Sequence, residues 1–200
     1  MCKLTHHRLT MSSDTQQKII DGARICFFKH GFRASNMSLI SQYAGFSRVT
    51  LHKHFKNKDG VFRAVCNDYQ VRCNSDCQVI LAQQDSCWQV IEQVITTWSK
   101  TAFDEVHDDK VLRELLFEAT QVASDIFEDA RANLEHMLQG ILDEGVTDSQ
   151  ISLQACQLSS LQLAAIIVAS TNGIRTNFPR EQILQTSQQL IGLYRLATRV

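Results

Sequence analysis

Asn36-Met37-Ser38-Leu39-Ile40-Ser41-Gln42-Tyr43-Ala44-Gly45-Phe46-Ser47-Arg48-Val49-Thr50-Leu51-His52-Lys53-His54-Phe55 places two short helical runs on either side of a glycine. Asn36 belongs to the residue types that cap a helix start by accepting a backbone N–H, and it opens a run from Met37 to Ala44. Gly45 takes up the positive φ that ends a helix in a tight turn. Ser47 caps the next run, Arg48 to Phe55. Two short helices joined by a brief glycine turn are the layout of a helix-turn-helix. Ile40, Ala44, Phe46, Leu51 and Phe55 are spaced to pack these helices on each other and on Phe27. The outward face of the second helix then shows Arg48, Thr50, His52 and Lys53, side chains of the kind that reach phosphates and base edges in a major groove.

Working outward, the same three- and four-residue apolar rhythm covers almost the whole chain, and no strict alternation occurs. An all-α chain of about nine helices is expected. The first helix spans Asp14 to His30, with Ile19, Ile20, Ala23, Cys26 and Phe27 inward, and Gly31 stops it. The fourth opens at Lys56-Asn57-Lys58-Asp59 and carries Phe62, Cys66, Tyr69, Cys73, Cys77 and Ile80 on one face. Further helices are expected over Ser86 to Phe103, Asp108 to Thr120, Ser124 to Glu144 (ended by Gly145) and Ser152 to Asn177, with a last one beginning near Pro179. The Ser152 to Asn177 stretch is apolar nearly all round in its middle, so it must be covered all round. A DNA-binding domain is expected over 12–60, with its helix-turn-helix at about 36–55, and a second domain over 61–200.

The 200 residues are 44% hydrophobic and 20% charged, which fits neither a disordered nor a membrane chain. The longest apolar run, Leu163 to Ala169, is far short of the ~20 residues that span a bilayer. The polar start, Met1 to Arg8, does not read as a secretory signal, and Met11 offers a second start codon position. Seven cysteines without metal-type spacing read as reduced thiols in a cytoplasm. Cys66, Cys73 and Cys77 share a face with Phe62 and Tyr69, as small buried hydrophobes do, although a redox sensor is the alternative. Cys2, His6 and His7 could ligate a metal, but a frayed terminus is the simpler reading, and no metal or cofactor is expected. No Gly-x-Ser-x-Gly, phosphate loop, His-Glu-x-x-His or Cys-x-x-Cys is present, so an enzyme is not expected.

The formal net charge of −1 hides a segregation. Residues 1–72 hold 12 Lys and Arg against 4 Asp and Glu, a formal +8; residues 73–200 hold 8 against 17, a formal −9. A basic front third suits a polyanion. The run Asp104, Glu105, Asp108, Asp109, Glu114, Glu118, Asp125, Glu128 and Asp129 reads most simply as a solvated face that is repelled by DNA.

Ile19-Ile20-Asp21-Gly22-Ala23, Phe27-x3-Gly31-Phe32, Ser35-Asn36-Met37-Ser38-Leu39-Ile40, Ala44 to His52, His54-Phe55 and Lys58-Asp59 together resemble the DNA-binding region of TetR-family transcriptional regulators. The resemblance covers about Thr15 to Val65; beyond it only helical layout and length agree. It implies a cytoplasmic homodimer that binds a palindromic DNA operator and is released by a small-molecule inducer. By that resemblance Arg48, Thr50 and Lys53 meet DNA on the recognition helix, and Lys58 meets a phosphate. Ser35, Asn36, Ser38 and Ser47 fall at helix starts that touch the backbone. An inducer cavity would draw on Trp88, Trp98, Phe103, His107, Phe117, Phe127, His136 and Met137. The last two helices would pair with a partner's through Leu158, Leu161, Ala165, Val168, Ile183, Leu190, Ile191 and Tyr194, with Gly173 and Gly192 allowing close approach. A helical interaction protein with a vestigial helix-turn-helix, or an activator without ligand, are the alternative readings.

One departure is His52, where the family usually has tyrosine. Imidazole charge varies near neutrality, so DNA affinity is expected to fall between about pH 6 and 7.5 as His52 loses its proton. Titrating affinity against pH for the parent and His52→Gln checks this: the variant should lose the dependence, and an unchanged profile would exclude His52 as its source.

Overall fold

The computed structural model describes residues 4–83, 85–100 and 105–200, with their side chains apart from those of residues 4–13 and 100. The described residues form α1 (Leu4–Ala34), α2 (Met37–Ala44), α3 (Arg48–His54), α4 (Lys58–Leu81), α5 (Cys87–Lys100), α6 (Asp109–Val122), α7 (Ser124–Thr147), α8 (Ser160–Asn177) and α9 (Arg180–Ala197). None of them lies in a strand, and no helix among them is long and apolar enough to cross a membrane. The chain is all-α, as its periodicity implies. It divides into two compact units, residues 1–71 with 103–127, and residues 72–102 with 128–200.

In the first unit α1 packs on α2 and α6, and α2 packs on α3. α1 begins at Leu4, ahead of the expected Asp14, and its helical geometry breaks at Gly31 (φ 80, ψ 171). Glycine enters that left-handed region at little cost, which is why the break falls there. Beyond it the chain turns so that Phe32 meets Phe27, with ring centroids 5.9 Å apart. Phe62 of α4 closes a three-ring cluster, 5.1 Å from Phe27 edge-on and 4.9 Å from Phe32. Ile19, Ala23, Ile40 and Leu51 are fully buried in the same unit, and Phe55 nearly so. Gly22 lets α1 and α2 meet backbone to backbone: a Cβ there would stand 2.4 Å from Ala44 Cα and 2.6 Å from its nitrogen. His30 Nε2 and Tyr43 Oη, 2.7 Å apart, join the same two helices.

α6 and the start of α7 hold this unit with carboxylates. Glu114 Oε1 accepts the Arg33 backbone N–H at 2.7 Å, just past the Gly31 break, and Glu118 accepts Arg33 Nε at 2.9 Å. Asp125 receives Arg63 of α4 through two parallel bonds of 2.8 and 2.6 Å, and Arg63 also donates to Val122 O. Arg24 pairs with Glu105 at 3.2 Å. Asp108 caps α6 by accepting from Lys110 N and Val111 N. The acidic run is therefore not simply a solvated face, because much of it grips the arginines of the basic front third.

The second unit has its own core from α4, α5, α7, α8 and α9, including Cys73, Cys77, Ile91, Ile95, Leu138, Leu142, Leu163 and Ile167. Two expectations are corrected here. The helix expected from Ser152 begins only at Ser160, because Ser159 forms a capping box with Gln162, and Gln157 just before it takes a positive φ. Gly145 does not end α7, which runs on to Thr147. A Cβ at Gly145 would stand 2.7 Å from Cys87 Sγ, so this glycine serves a close approach. Cys66, Cys73 and Cys77 are buried, and burial pushes the Cys66 thiol up to about 12. The Cys77 thiol is also raised, chiefly by its hydrogen bond with Cys73. Such thiols stay protonated and make poor redox sensors. Cys2, His6 and His7 lie outside the residues whose side chains are described.

Two changes test these contacts. Gly22→Ala forces apart two backbones and should cost about 1–3 kcal/mol or more in urea unfolding. Gly140→Ala, where a Cβ meets nothing within 4 Å, should instead gain up to about 1 kcal/mol. Similar effects at both positions would contradict the close approach of α1 and α2.

The Arg63 guanidinium holds the Asp125 carboxyl at about 2, below the usual carboxylate range. The folded value lies below the unfolded one, so this pairing stabilises fully above about pH 4 and fades as pH falls towards 2. Acid unfolding followed by circular dichroism should be less steep between these limits for Asp125→Asn, and identical curves would rule the contribution out.

Candidate nucleic-acid interface

The helix-turn-helix is built by local chemistry first and by packing second. Asn36 Oδ1 accepts the N–H groups of Ser38 (3.0 Å) and Leu39 (2.9 Å), fixing the start of α2. A cap of this kind stabilises a helix by about 1 kcal/mol. Gly45 (φ 71) returns N–H bonds to the last turn of α2. Ser47 Oγ accepts from Thr50 N at 3.0 Å and opens α3. Within α3 only Leu51 is buried, as Phe27, Ile40 and Phe55 are in the same unit. The rest of α3 is left facing outward or partly so.

Arg48, Val49, His52 and Lys53 are exposed on α3. Thr50 is half-buried, and its hydroxyl lies 2.9 Å from Ser47 Oγ, so it is engaged in the cap. Val49, absent from the outward set read from sequence, is 68% exposed. Helical geometry could have found it, because 100° per residue puts position 49 nearly opposite the buried Leu51. Residues 22–58 carry Arg24, Lys29, Arg33, Arg48, Lys53, Lys56 and Lys58 and no Asp or Glu. Arg24 and Arg33 are paired with carboxylates, whereas no ion pair involves Arg48, Lys53 or Lys56 among the described residues. The positive charge left unneutralised is thus concentrated on α3 and the turn after it.

An open depression of roughly 480 Å³ is lined by Ser35, Asn36, Met37, Ser38, Arg48 and Lys58, bringing five of the expected contact residues together. Asn36 and Ser38 are exposed there. Lys58 is half-buried: its Nζ donates to Phe32 O at 2.9 Å and sits 4.0 Å from the Phe32 ring centroid. An ammonium has three donors, so two remain for an anion in the depression. Ser35 departs from its expected part, because it is only 2% exposed and its hydroxyl donates to Gly31 O at 2.6 Å. It mends the carbonyl left open by the Gly31 break.

The residues expected around an effector fall in both units. His107, Phe117 and Phe127 belong to the first, Trp88, Trp98, His136 and Met137 to the second, and Phe103 lies outside the described residues. His107, His136 and Phe117 are exposed; Phe117 lies under the Arg33 guanidinium, 6.0 Å away. Trp88 is a core residue whose indole N–H donates to Thr198 Oγ1 at 3.0 Å. Trp98 is half-buried beneath Arg175, 4.6 Å from its ring. Of the residues expected at a partner interface, Val168, Ile183 and Ile191 are buried within the chain itself, which corrects their placement. Leu161 is exposed, and Leu158, Ala165, Leu190 and Tyr194 are half-buried. Leu193 (63%) and Leu196 (55%) are more exposed than any of them.

Residues 19–65 match the model of the bacterial regulatory proteins of the tetR family. Over 60 residues the chain is 30% identical to the transcriptional repressor AcnR of Corynebacterium glutamicum, covering 30% of this chain and 32% of that protein. Over 53 residues it is 34% identical to the repressor Rv1474c of Mycobacterium tuberculosis, covering 26% and 28%. The chain thus spans about a third of the length of the curated repressors it matches. Along nearly its whole length it shares the fold of a transcriptional regulator from Cytophaga hutchinsonii (TM-score 0.75, 18% identity, 91% of this chain and 97% of that one). The same holds for a TetR-family regulator from Pectobacterium atrosepticum (0.71, 16%, 92% and 94%) and for a protein involved in control of antibiotic production by bacterial hormones (0.71, 18%, 94% and 98%). Residues 19–65 thus carry the helix-turn-helix region of the tetR family, on a fold that nearly the whole chain shares with regulators of that kind.

Proposed function

We propose that this chain is a homodimeric transcriptional repressor that binds a palindromic operator and leaves it when a small molecule binds. The observation that carries the DNA-binding part is the α3 surface: a capped, packed recognition helix with Arg48, His52 and Lys53 outward and no acidic residue from 22 to 58. The N-terminal residues of such a helix meet base edges, while neighbouring cations meet phosphates. The curated repressors matched over this region support repression as the outcome. Arg48 reads bases; Lys53, Lys56, Asn36, Ser38 and Lys58 hold the backbone.

Dimerisation is supported by α8 and α9. Leu161, Ile166, Leu193 and Leu196 are large apolar side chains left exposed on these two helices. Gly173 and Gly192, where a Cβ would meet nothing within 4 Å, leave room for a second copy to approach closely. The small-molecule response is supported by the fold shared with the hormone-linked protein. Its coupling to DNA runs through α4, which starts at Lys58 and extends 24 residues, and through the α6 carboxylates that hold Arg33. An effector acts by favouring one of two arrangements of these helices.

The test is a salt titration of affinity on a palindromic duplex selected by the full chain. Lys53→Ala should weaken all sequences about equally and lower the slope of log K against log[salt] by about 1. Arg48→Ala should relax discrimination at one base pair per half-site, by about 1–3 kcal/mol. Leu193→Glu with Leu196→Glu should yield monomers that lose the palindrome. Absence of any sequence-specific, salt-dependent binding would favour the helical interaction protein instead.

A further inference from the structure

We propose that Val49 is a base-reading residue that packs its isopropyl group against the C5-methyl of one thymine in each operator half-site. The assignment rests on the DNA-binding reading above. Val49 is the most exposed large hydrophobic residue of the first unit among its described residues. Single apolar side chains on a surface are ordinary, so exposure alone says little. Its company is what singles it out. Arg48 precedes it, and His52 and Lys53 follow at the three- and four-residue steps that share a helix face. All three are exposed nitrogen-bearing side chains. The neighbouring hydroxyl of Thr50 is engaged with Ser47, which leaves Arg48 and Val49 as the outward side chains of the first turn of α3.

A β-branched side chain in water is a poorer helix former than alanine, so Val49 gives this seven-residue helix nothing by itself. It gains only where a partner covers it. The surrounding donors fit a polyanion, and the apolar group that a duplex offers along its major-groove edges is the thymine methyl. A valine among hydrogen-bond donors at the start of a recognition helix therefore fits a thymine beside the base pair read by Arg48.

The test uses the full chain and a duplex that it selects from a randomised library. Each thymine is replaced in turn by deoxyuridine, which removes the methyl and keeps the base pairing. At one thymine per half-site, replacement should weaken binding about four-fold in one half-site and about fifteen-fold in both, the scale of one buried methyl each. Val49→Ala should bind the thymine and deoxyuridine duplexes equally, while still discriminating at the Arg48-dependent base pair. A wild-type chain indifferent to every replacement, or a Val49→Ala variant that keeps the same sensitivity, overturns the assignment while DNA binding stands. Failure to enrich any duplex overturns the DNA-binding reading, and this assignment with it.

Discussion

Three phenylalanine rings and one ammonium group fix the geometry on which the helix-turn-helix unit depends. Phe27, Phe32 and Phe62 come from the two sides of the Gly31 break and from α4, and they meet within 6 Å of one another. Aromatic rings in such edge and tilted contacts hold each other in both distance and angle. Lys58 closes the arrangement by donating to Phe32 O and lying over its ring. The start of α4 is thereby tied to the end of α1. The same ammonium lines the depression at the start of α2. One side chain thus ties the scaffold together and also lines the proposed binding surface, so its removal would not separate affinity from folding. Lys53 and Lys56 carry no such structural contact in the described structure, and they report on charge alone.

The charge segregation of the sequence acquires a finer meaning in the fold. Arg24, Arg33 and Arg63 contribute to the +8 of the front third, but each faces a carboxylate from the acidic remainder. These pairs are exposed enough that each adds little to stability by itself. Their effect is to cancel much of the positive charge on α1 and α4 while leaving that of Arg48 and Lys53 on α3. What is left is a small basic patch rather than a basic third, and a focused patch would orient an approaching polyanion better than a diffuse one.

The parts of this fold that are legible in the sequence are those made by short-range rules. Asn36, Gly45 and Ser47 act within three or four residues of themselves, so residue type and spacing suffice to bound both helices of the helix-turn-helix. Leu51 and Phe27 follow from periodicity. Long-range pairings escape such rules, because nothing local links Arg33 to Glu118 or Arg63 to Asp125, and the acidic residues therefore read as solvated. Ser35 escapes for a related reason: its burial follows from the backbone break four residues earlier. Val49 is legible by the same local geometry, since it stands nearly opposite Leu51 on the helix, whereas the engagement of the Thr50 hydroxyl with Ser47 shows only in the structure. On α8 an apolar surface nearly all round does not say which side meets its own chain, so Val168 reads as outward along with Leu161.

The carboxylate grip of α6 has a consequence for modularity. The groups that hold Arg33 and Arg63 lie 59 to 85 residues downstream of them, so the compact first unit is discontinuous in the chain. A chimera that joins this helix-turn-helix to a foreign effector domain by a single crossover near residue 71 would separate the arginines from their acids. A graft that preserves the unit must cross the chain three times, carrying residues 103–127 along with the N-terminal helices. A crossover anywhere in residues 72–102 therefore divides the first unit, whatever effector part it joins.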